Sequence, residues 1–245
     1  MHSPLEGRVV ILTGAARGLG RDYSRYLSAD GVHVVLVDVK DLSTATEEAT
    51  ASGATCLGIE ADITVRADCE RVMQSAVDQF GRLDGLINNA GLWRGLHEVG
   101  LLGCPDDVWD AAWAVNVTGS LRCYQAAVPH LQRNGGGRII NISSMASRSG
   151  RDAYGLTKHA VEHMTKGMAH EVGGMGITVN CVAPGISAFE AAQEALDVAS
   201  EVTEALAIKR IGKSRELYDA MAFLLSDDAA YITGQTLFVD GGSGI

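Results

Sequence analysis

A chain of 245 residues with 47% apolar content has ample material for a core, and its net charge of −10 argues against a nucleic-acid partner, which concentrated Lys and Arg would have to hold. No stretch approaches the roughly 18 apolar residues of a membrane span, and the first apolar run is too short for a signal peptide. Five scattered cysteines without a Cys-x-x-Cys pair exclude a disulfide framework or zinc ribbon and fit a reducing, cytoplasmic setting.

In chain order, Val9–Leu12 reads as a buried strand, followed by the Gly-rich turn Thr13-Gly-Ala-Ala-Arg-Gly-Leu-Gly20 and a helix over 19–29. Residues lacking Cβ at Gly14, Gly18 and Gly20 let backbone approach a pyrophosphate, whose charge a helix N-terminus favours. A second strand over 32–37 ends at Asp38, 18 residues beyond Gly20, where a carboxylate can accept hydrogen bonds from ribose hydroxyls and repel a 2′-phosphate. That favours NAD over NADP, although the guanidinium of Arg17 could pair with such a phosphate. A helix over 43–52 and the segment Leu57–Ala61 lead to Asp62, either an adenine contact or a helix N-cap before Thr64.

A helix over 66–80 precedes a strand over 83–87 and then Asn88-Asn-Ala-Gly91, whose small residues suit close cofactor approach. The pattern over 106–133 predicts one long helix; Asn116 within it is a poor helix former and needs a reason to be there. A strand over 138–142 runs into Ser143 and Ser144. On the helix over 154–172, Tyr154 and Lys158 share one face, so the ammonium can favour phenolate and bring the phenol's pKa toward the working range. A strand over 177–182 leads to Pro184-Gly185, and a helix over 214–226 precedes the last strand over 236–239.

Six near-continuous Val/Ile/Leu runs alternating with helices predict a doubly wound α/β fold of Rossmann type, with helices on both faces of a parallel sheet. Four prolines and no linker predict a single domain over 1–245. The segment 186–213 departs from the alternation; its period predicts an inserted helix at a strand's carboxyl end, where α/β sheets bind ligands. Its Glu190, Glu194, Asp197, Glu201 and Glu204 either repel anionic substrates or form a solvated face. Phe189, Trp93 and Met145 are candidate pocket walls for an apolar substrate, with Arg94 and Arg151 nearby as opposing charges. Trp109 and Trp113 suit core or interface, and the histidines, His97, His130, His159, His163 and His170 among them, form no metal-ligand grouping.

Together, Thr13-Gly-x-x-x-Gly-x-Gly20, Asn88-Asn-Ala-Gly91, Asn116, Ser144, Tyr154-x-x-x-Lys158, Pro184-Gly185 and Ile232-Thr-Gly-Gln-x-Leu-x-Val-Asp-Gly-Gly242 resemble the short-chain dehydrogenase/reductase family over essentially the whole chain. The resemblance implies a mostly seven-stranded sheet and an NAD(P)-dependent oxidoreductase acting on an alcohol or ketone. Tyr154 would be the proton donor or acceptor, Ser144 the substrate-oxygen ligand, and Lys158 the ribose-binding ammonium. The backbone carbonyl of Asn116 would hold a water leading to the lysine. It places the cofactor on Gly14, Arg17, Gly18, Leu19, Gly20, Asp38, Asp62, Ile63, Asn89, Ala90, Gly91, Tyr154, Lys158, Pro184, Gly185, Ile186 and Ser187.

Two departures stand out: the Ser144-to-Tyr154 interval is shorter than usual, which implies a trimmed loop, and Phe189 replaces a threonine that contacts the nicotinamide carboxamide. A homotetramer is the family expectation. The acidic insert and Asp38 favour a neutral secondary alcohol or ketone with NAD over the alternative, an NADP-dependent 3-oxoacyl-thioester (acyl-carrier-protein) reductase. A third reading, a nucleotide-binding subunit without turnover, conflicts with the intact Asn116, Ser144, Tyr154 and Lys158.

Overall fold

Alternation along the first strand determines how the layers assemble. The computed structural model describes residues 3–93, 95–96, 99–188, 203–204 and 206–243. In β1 (Val9–Thr13), Val10 and Leu12 turn to one side of the sheet and Val9 and Ile11 to the other, and each side carries its own core. The strands that follow are β2 (His33–Asp38), β3 (Cys56–Glu60), β4 (Gly85–Asn88), β5 (Gly137–Ile142), β6 (Ile177–Pro184), β7 (Ser187–Ala188), β8 (Gly212–Lys213) and β9 (Thr236–Val239). Seven of them form one parallel sheet in the order β3-β2-β1-β4-β5-β6-β9.

One face is covered by α1 (Gly18–Ala29), α2 (Ser43–Ala51) and the last helix, here α7 (Ser214–Leu225), through Tyr23, Leu27, Ala45, Tyr218 and Met221. The other is covered by α3 (Arg66–Phe80), α5 (Ser120–Arg133) and α6 (Ala153–Val172), through Val72, Met73, Leu131 and Met168. Burial on both faces accounts for the continuous apolar runs in the central strands. β3 escapes that pattern because it is an edge strand with alternating exposure, so its sequence carries no such run.

The predicted helix over 106–133 is α4 (Asp106–Trp113), a π-helical segment Ala114–Gly119, and α5. Of the 186–213 insert, residues 189–202 and 205 lie outside the described residues. The flanks of the insert meet in a two-residue parallel ladder between β7 and β8. Among the described residues no helix is long and apolar enough to cross a membrane.

At the amino ends of the strands, Asp84 is nearly buried and accepts from four donors. They are the Val9 amide at 2.9 Å, Arg82 Nε at 2.7 Å and Nη2 at 2.6 Å, and Asn134 Nδ2 at 2.8 Å. Removing the carboxylate would leave these donors unpaired, so Asp84→Ala is expected to destabilise the fold by about 3 kcal/mol. Urea unfolding followed by circular dichroism measures this, and an unchanged midpoint would remove Asp84 from the stabilising groups. Catalysis by the folded fraction should not change, because the candidate site occupies the opposite end of the sheet.

Candidate active site

The sheet reverses its winding between β1 and β4, and an open α/β sheet binds ligands beyond the carboxyl ends at such a point. Here the turn after β1 lies directly against the turn after β4. A Cβ on Gly14 (φ +69°) would sit 2.7 Å from the Ala90 Cα, and one on Gly20 would sit 2.0 Å from the Gly14 carbonyl oxygen. Asn89 staples the two turns, its Nδ2 donating to the carbonyls of Thr13 at 2.9 Å and Gly14 at 3.0 Å. Thr13 Oγ1 completes the staple by accepting from the amides of Asn89 and Ala90.

These residues form a cradle that fits a dinucleotide. The N-cap of α1 is Arg17 in extended conformation, and no side chain caps the helix. The first-turn amides beginning at Gly18 and Leu19 therefore remain without the side-chain acceptor that most helices supply, as an anion site requires. Asp38 is held at the end of β2, where Oδ2 accepts from the Ala16 amide at 3.1 Å and Oδ1 from the Lys40 amide at 3.0 Å. Its charge thus faces the same turn as the candidate pyrophosphate site. Arg17 is exposed, and among the described residues no hydrogen bond or ion pair engages its guanidinium.

Asp62 and Ile63 are committed to local structure. Asp62 Oδ1 accepts from the Thr64 amide at 2.8 Å and hydroxyl at 2.7 Å, closing a turn; the N-cap of α3 is Val65, so the helix-capping alternative is not met. Ile63 is buried, and its Cδ1 would lie 2.6 Å from a Cβ on Gly119, so the small residue at 119 lets the helix approach the sheet here.

The catalytic candidates converge at the ends of β5 and β6. Ser144 follows β5 and N-caps a 3-10 turn, Met145–Arg148, accepting from the Ala146 amide at 3.2 Å. Tyr154 stands in the first turn of α6, and Lys158 follows one turn later with its ammonium 5.7 Å from the phenol ring centroid. Lys158 is buried and donates to the Ile142 carbonyl at 2.7 Å; a Cβ on Gly91 would sit 3.3 Å from its Nζ. The glycine of Asn-Asn-Ala-Gly thus leaves room for the lysine head.

The electrostatics differ from the sequence expectation. Burial raises the Tyr154 phenol to about 12, with the Ser144 hydroxyl pulling it down and the Asp152 charge adding to the rise. The expected lowering by Lys158 is not met, because burial of the phenolate decides the direction of the shift. Burial also depresses Lys158 to about 8, with a small opposing effect from Cys181. The arrangement as it stands is a neutral phenol beside a lysine that titrates near the physiological range.

Asn116 owes its place to the π-helical segment. Its side chain clamps the loop after β4, Oδ1 accepting from the Leu92 amide at 2.7 Å and Nδ2 donating to the Leu92 carbonyl at 3.0 Å and Thr157 Oγ1 at 2.9 Å. Its backbone carbonyl accepts from Ser120 Oγ at 2.9 Å. A wide helical turn at this position is a frequent mark of a functional site.

At the other end, a Cβ on Gly185 would stand 2.5 Å from the Asp240 Cα, and the Gly185 amide donates to the Val239 carbonyl at 3.0 Å. Pro184 ends β6, and the Ile186 carbonyl accepts from the Gly212 amide at 3.0 Å. Ser187 lies in β7. Phe189, Glu190, Glu194, Asp197, Glu201, Arg94 and His97 lie outside the described residues. Glu204 pairs with Lys209 at 3.0 Å on the surface. Met145 is half-buried in the turn after Ser144, and Arg151 is exposed. Trp109 and Trp113 pack on each other at 5.7 Å between centroids, while His159, His163 and His170 are exposed on α6. Among the described residues no group of His, Cys, Asp or Glu could hold a metal.

Three site-shaping contacts escaped the sequence reading. Thr157 Oγ1 links the Asn116 amide to the Tyr154 carbonyl, Ser143 Oγ donates to Glu162 Oε1 at 2.6 Å, and Arg148 pairs with the buried Asp240 at 2.9 Å. All three are contacts between residues that single-sequence spacing does not connect. The Asp152 N-cap of α6 also escaped that reading, although an Asp just before a helical pattern is the signal that would have shown it.

A family model described as enoyl-(acyl carrier protein) reductase matches residues 14–244. Short-chain reductase protein NovJ of Streptomyces niveus is 36% identical over 246 residues, an alignment covering 96% of this chain and 93% of that protein. The 3-oxoacyl-[acyl-carrier-protein] reductase FabG of Staphylococcus epidermidis is 34% identical, covering 95% and 97%. Among solved structures, levodione reductase superposes with a TM-score of 0.91 at 28% identity, covering 97% of each chain. A short-chain dehydrogenase/reductase from Serratia marcescens gives 0.90 at 34%, covering 98% of each.

Proposed function

This chain belongs to the short-chain dehydrogenase/reductase family of oxidoreductases, and on that premise we propose that it interconverts a neutral, apolar ketone and its secondary alcohol with NAD(H). The observation that carries this reading is the neutral Tyr154 phenol placed with Ser144 and Lys158 beside the glycine cradle. The cofactor, when bound, supplies or accepts the hydride. Gly14, Gly18, Leu19 and Gly20 would hold its pyrophosphate, Asp38 its adenosine ribose, and Tyr154 and Lys158 its second ribose. Arg17, Asp62, Ile63, Asn89, Ala90, Gly91, Pro184, Gly185, Ile186 and Ser187 would line the rest.

The protein's own part is the proton. In reduction, the Ser144 hydroxyl donates to the substrate oxygen and stabilises the charge that grows there. Tyr154 gives its proton to that oxygen. A phenol held at about 12 is fully protonated at neutral pH and so present in the donor form. Lys158, buried and charged below about 8, then stabilises the phenolate left behind and can restore its proton. The Asn116 backbone carbonyl would hold a water in that return path.

Asp38 carries the cofactor preference. Asp38→Asn removes the charge and one of the two amide bonds, since Nδ2 cannot accept, and should lower the NADH-over-NADPH preference in kcat/KM by about tenfold. Unchanged preference would move selection elsewhere. The first functional test is turnover of NADH and NADPH against neutral ketones and an acetoacetyl thioester; thioester turnover with NADPH and none with ketones would overturn the reading. That second outcome is the 3-oxoacyl-thioester reductase reading, which the FabG relative's name and the free guanidinium of Arg17 favour. We assign the chain a homotetrameric assembly and, from its free thiols, a reducing compartment such as the cytoplasm.

A further inference from the structure

The short connection between Ser144 and Tyr154 contains Asp152, whose contacts reach the first turn of α6 and the loop after β4. Asp152 is the N-cap of α6 in extended conformation, and its Oδ1 accepts from the Gly155 amide at 2.7 Å. Gly155 in turn abuts the turn after Ser144, since a Cβ on it would meet the Ala146 carbonyl oxygen at 2.6 Å. The Ala146 amide donates to the Ser144 hydroxyl. On its other side, the Asp152 backbone forms an antiparallel bridge to Gly100, in the loop between β4 and α4. The Asp152 carbonyl also accepts from the Leu156 amide at 3.2 Å, the first turn of the helix that carries Tyr154.

We infer that Asp152 is a positioning residue for the reaction: it sets the Tyr154 hydroxyl against the Ser144 hydroxyl and ties both to the loop at Gly100. The physical basis is that a connection this short has no slack. With only the 3-10 turn, Ser149, Gly150 and Arg151 between Ser144 and the cap, the first turn of α6 fixes where the phenol stands. One carboxylate closes that turn, and its negative charge lies two residues before the phenol. It therefore also adds to the rise in the Tyr154 phenol's pKa, of which burial is the main cause. Among the described residues, the Ser144 hydroxyl from the turn after β5 and the Lys158 ammonium from α6 itself also lie near the phenol. Nearby Arg148 is engaged with Asp240 and the Ser243 carbonyl, and Arg151 is exposed.

The cap and the charge can be separated. Asp152→Asn keeps an N-capping acceptor and loses the charge, Asp152→Ser keeps a cap in a shorter side chain, and Asp152→Ala loses both. The titration of Tyr154 is read by NMR of protein carrying 13Cζ-tyrosine, its signal assigned with Tyr154→Phe, and needs no turnover. The inference predicts that both Asp152→Asn and Asp152→Ala move that titration to lower pH. In the turnover assay, which rests on the proposed reaction, Asp152→Ala should lower kcat about tenfold to a hundredfold with little change in cofactor affinity. Asp152→Asn should keep the wild-type kcat, and Asp152→Ser should recover most of it.

A Tyr154 titration that ignores the loss of the charge, or an Asp152→Ala enzyme with wild-type kcat, would overturn the inference. So would Asp152→Asn and Asp152→Ser enzymes as slow as Asp152→Ala. Should Asp152→Ala fail to fold, the Asn and Ser variants still decide. Should no ketone be turned over by the wild type, the proposed reaction fails, while the titration still tests what Asp152 does to Tyr154.

Discussion

Tyr154→Phe is expected to lower kcat about 10³-fold while leaving NADH affinity within a factor of a few, because it removes one oxygen and the proton it carries. The ring stays in the first turn of α6, and the Lys158 ammonium keeps its bond to the Ile142 carbonyl. Stability should not fall, since the hydroxyl is costly to bury and burial is the main cause of its raised pKa. Stopped-flow turnover together with NADH fluorescence titration separates the two quantities. Full turnover by the phenylalanine variant would remove Tyr154 from proton transfer. Loss of both turnover and NADH binding would instead show that the phenol is chiefly a cofactor ligand.

Lys158→Met should lower kcat by a comparable factor, about 10²–10³-fold, and yet make the free protein more stable at neutral pH. The sign follows from the depressed pKa of the buried ammonium. Between about 8 and the ordinary lysine value the unfolded chain binds more protons than the folded one, so stability rises with pH through that window. Below about 8 the lysine is charged in both states, and the folded state bears the full cost of burying it, about 3 kcal/mol for a shift of this size. Methionine removes the charge and fills similar space, while the Ile142 carbonyl loses its donor, which offsets roughly 1 kcal/mol. A net gain of about 2 kcal/mol at pH 7, shrinking toward pH 10, is the expected result of urea unfolding across that range. A variant less stable than wild type at pH 7 would mean that the ammonium is held by more than one carbonyl. Activity lost together with stability gained marks a group retained for chemistry.

The two variants bear on the same feature from opposite sides. Tyr154 is held neutral and Lys158 is held close to releasing its proton, each by burial and each at some cost. The expected depression of the tyrosine by the lysine is not met because burial decides the direction of both shifts.

Much of this was legible in residue order. The cradle at Gly14, Gly18 and Gly20, the carboxylate ending β2, and Tyr154 with Lys158 on one helix face are local patterns. A helix or strand places such residues at fixed separations whatever surrounds it. The doubly wound topology was legible for a related reason: apolar runs alternating with helices can be buried only between two helical layers. β3 went unread as a strand because an edge strand is not buried on both faces, and the helix over 106–133 was read as uniform because a π-helical segment leaves no period of its own.

Sequence alone therefore determined the class of fold, the oxidoreductase family and the candidate residues for its chemistry, since these depend on side-chain chemistry and short-range spacing. Tertiary structure decided what surrounds them. It committed Asp62 to the turn at Thr64, clamped Asn116 to Leu92 and Thr157, and paired Arg148 with Asp240 across 92 positions. It also set the direction of both active-site pKa shifts, because desolvation depends on how tightly the whole chain closes over a group, which no local pattern encodes.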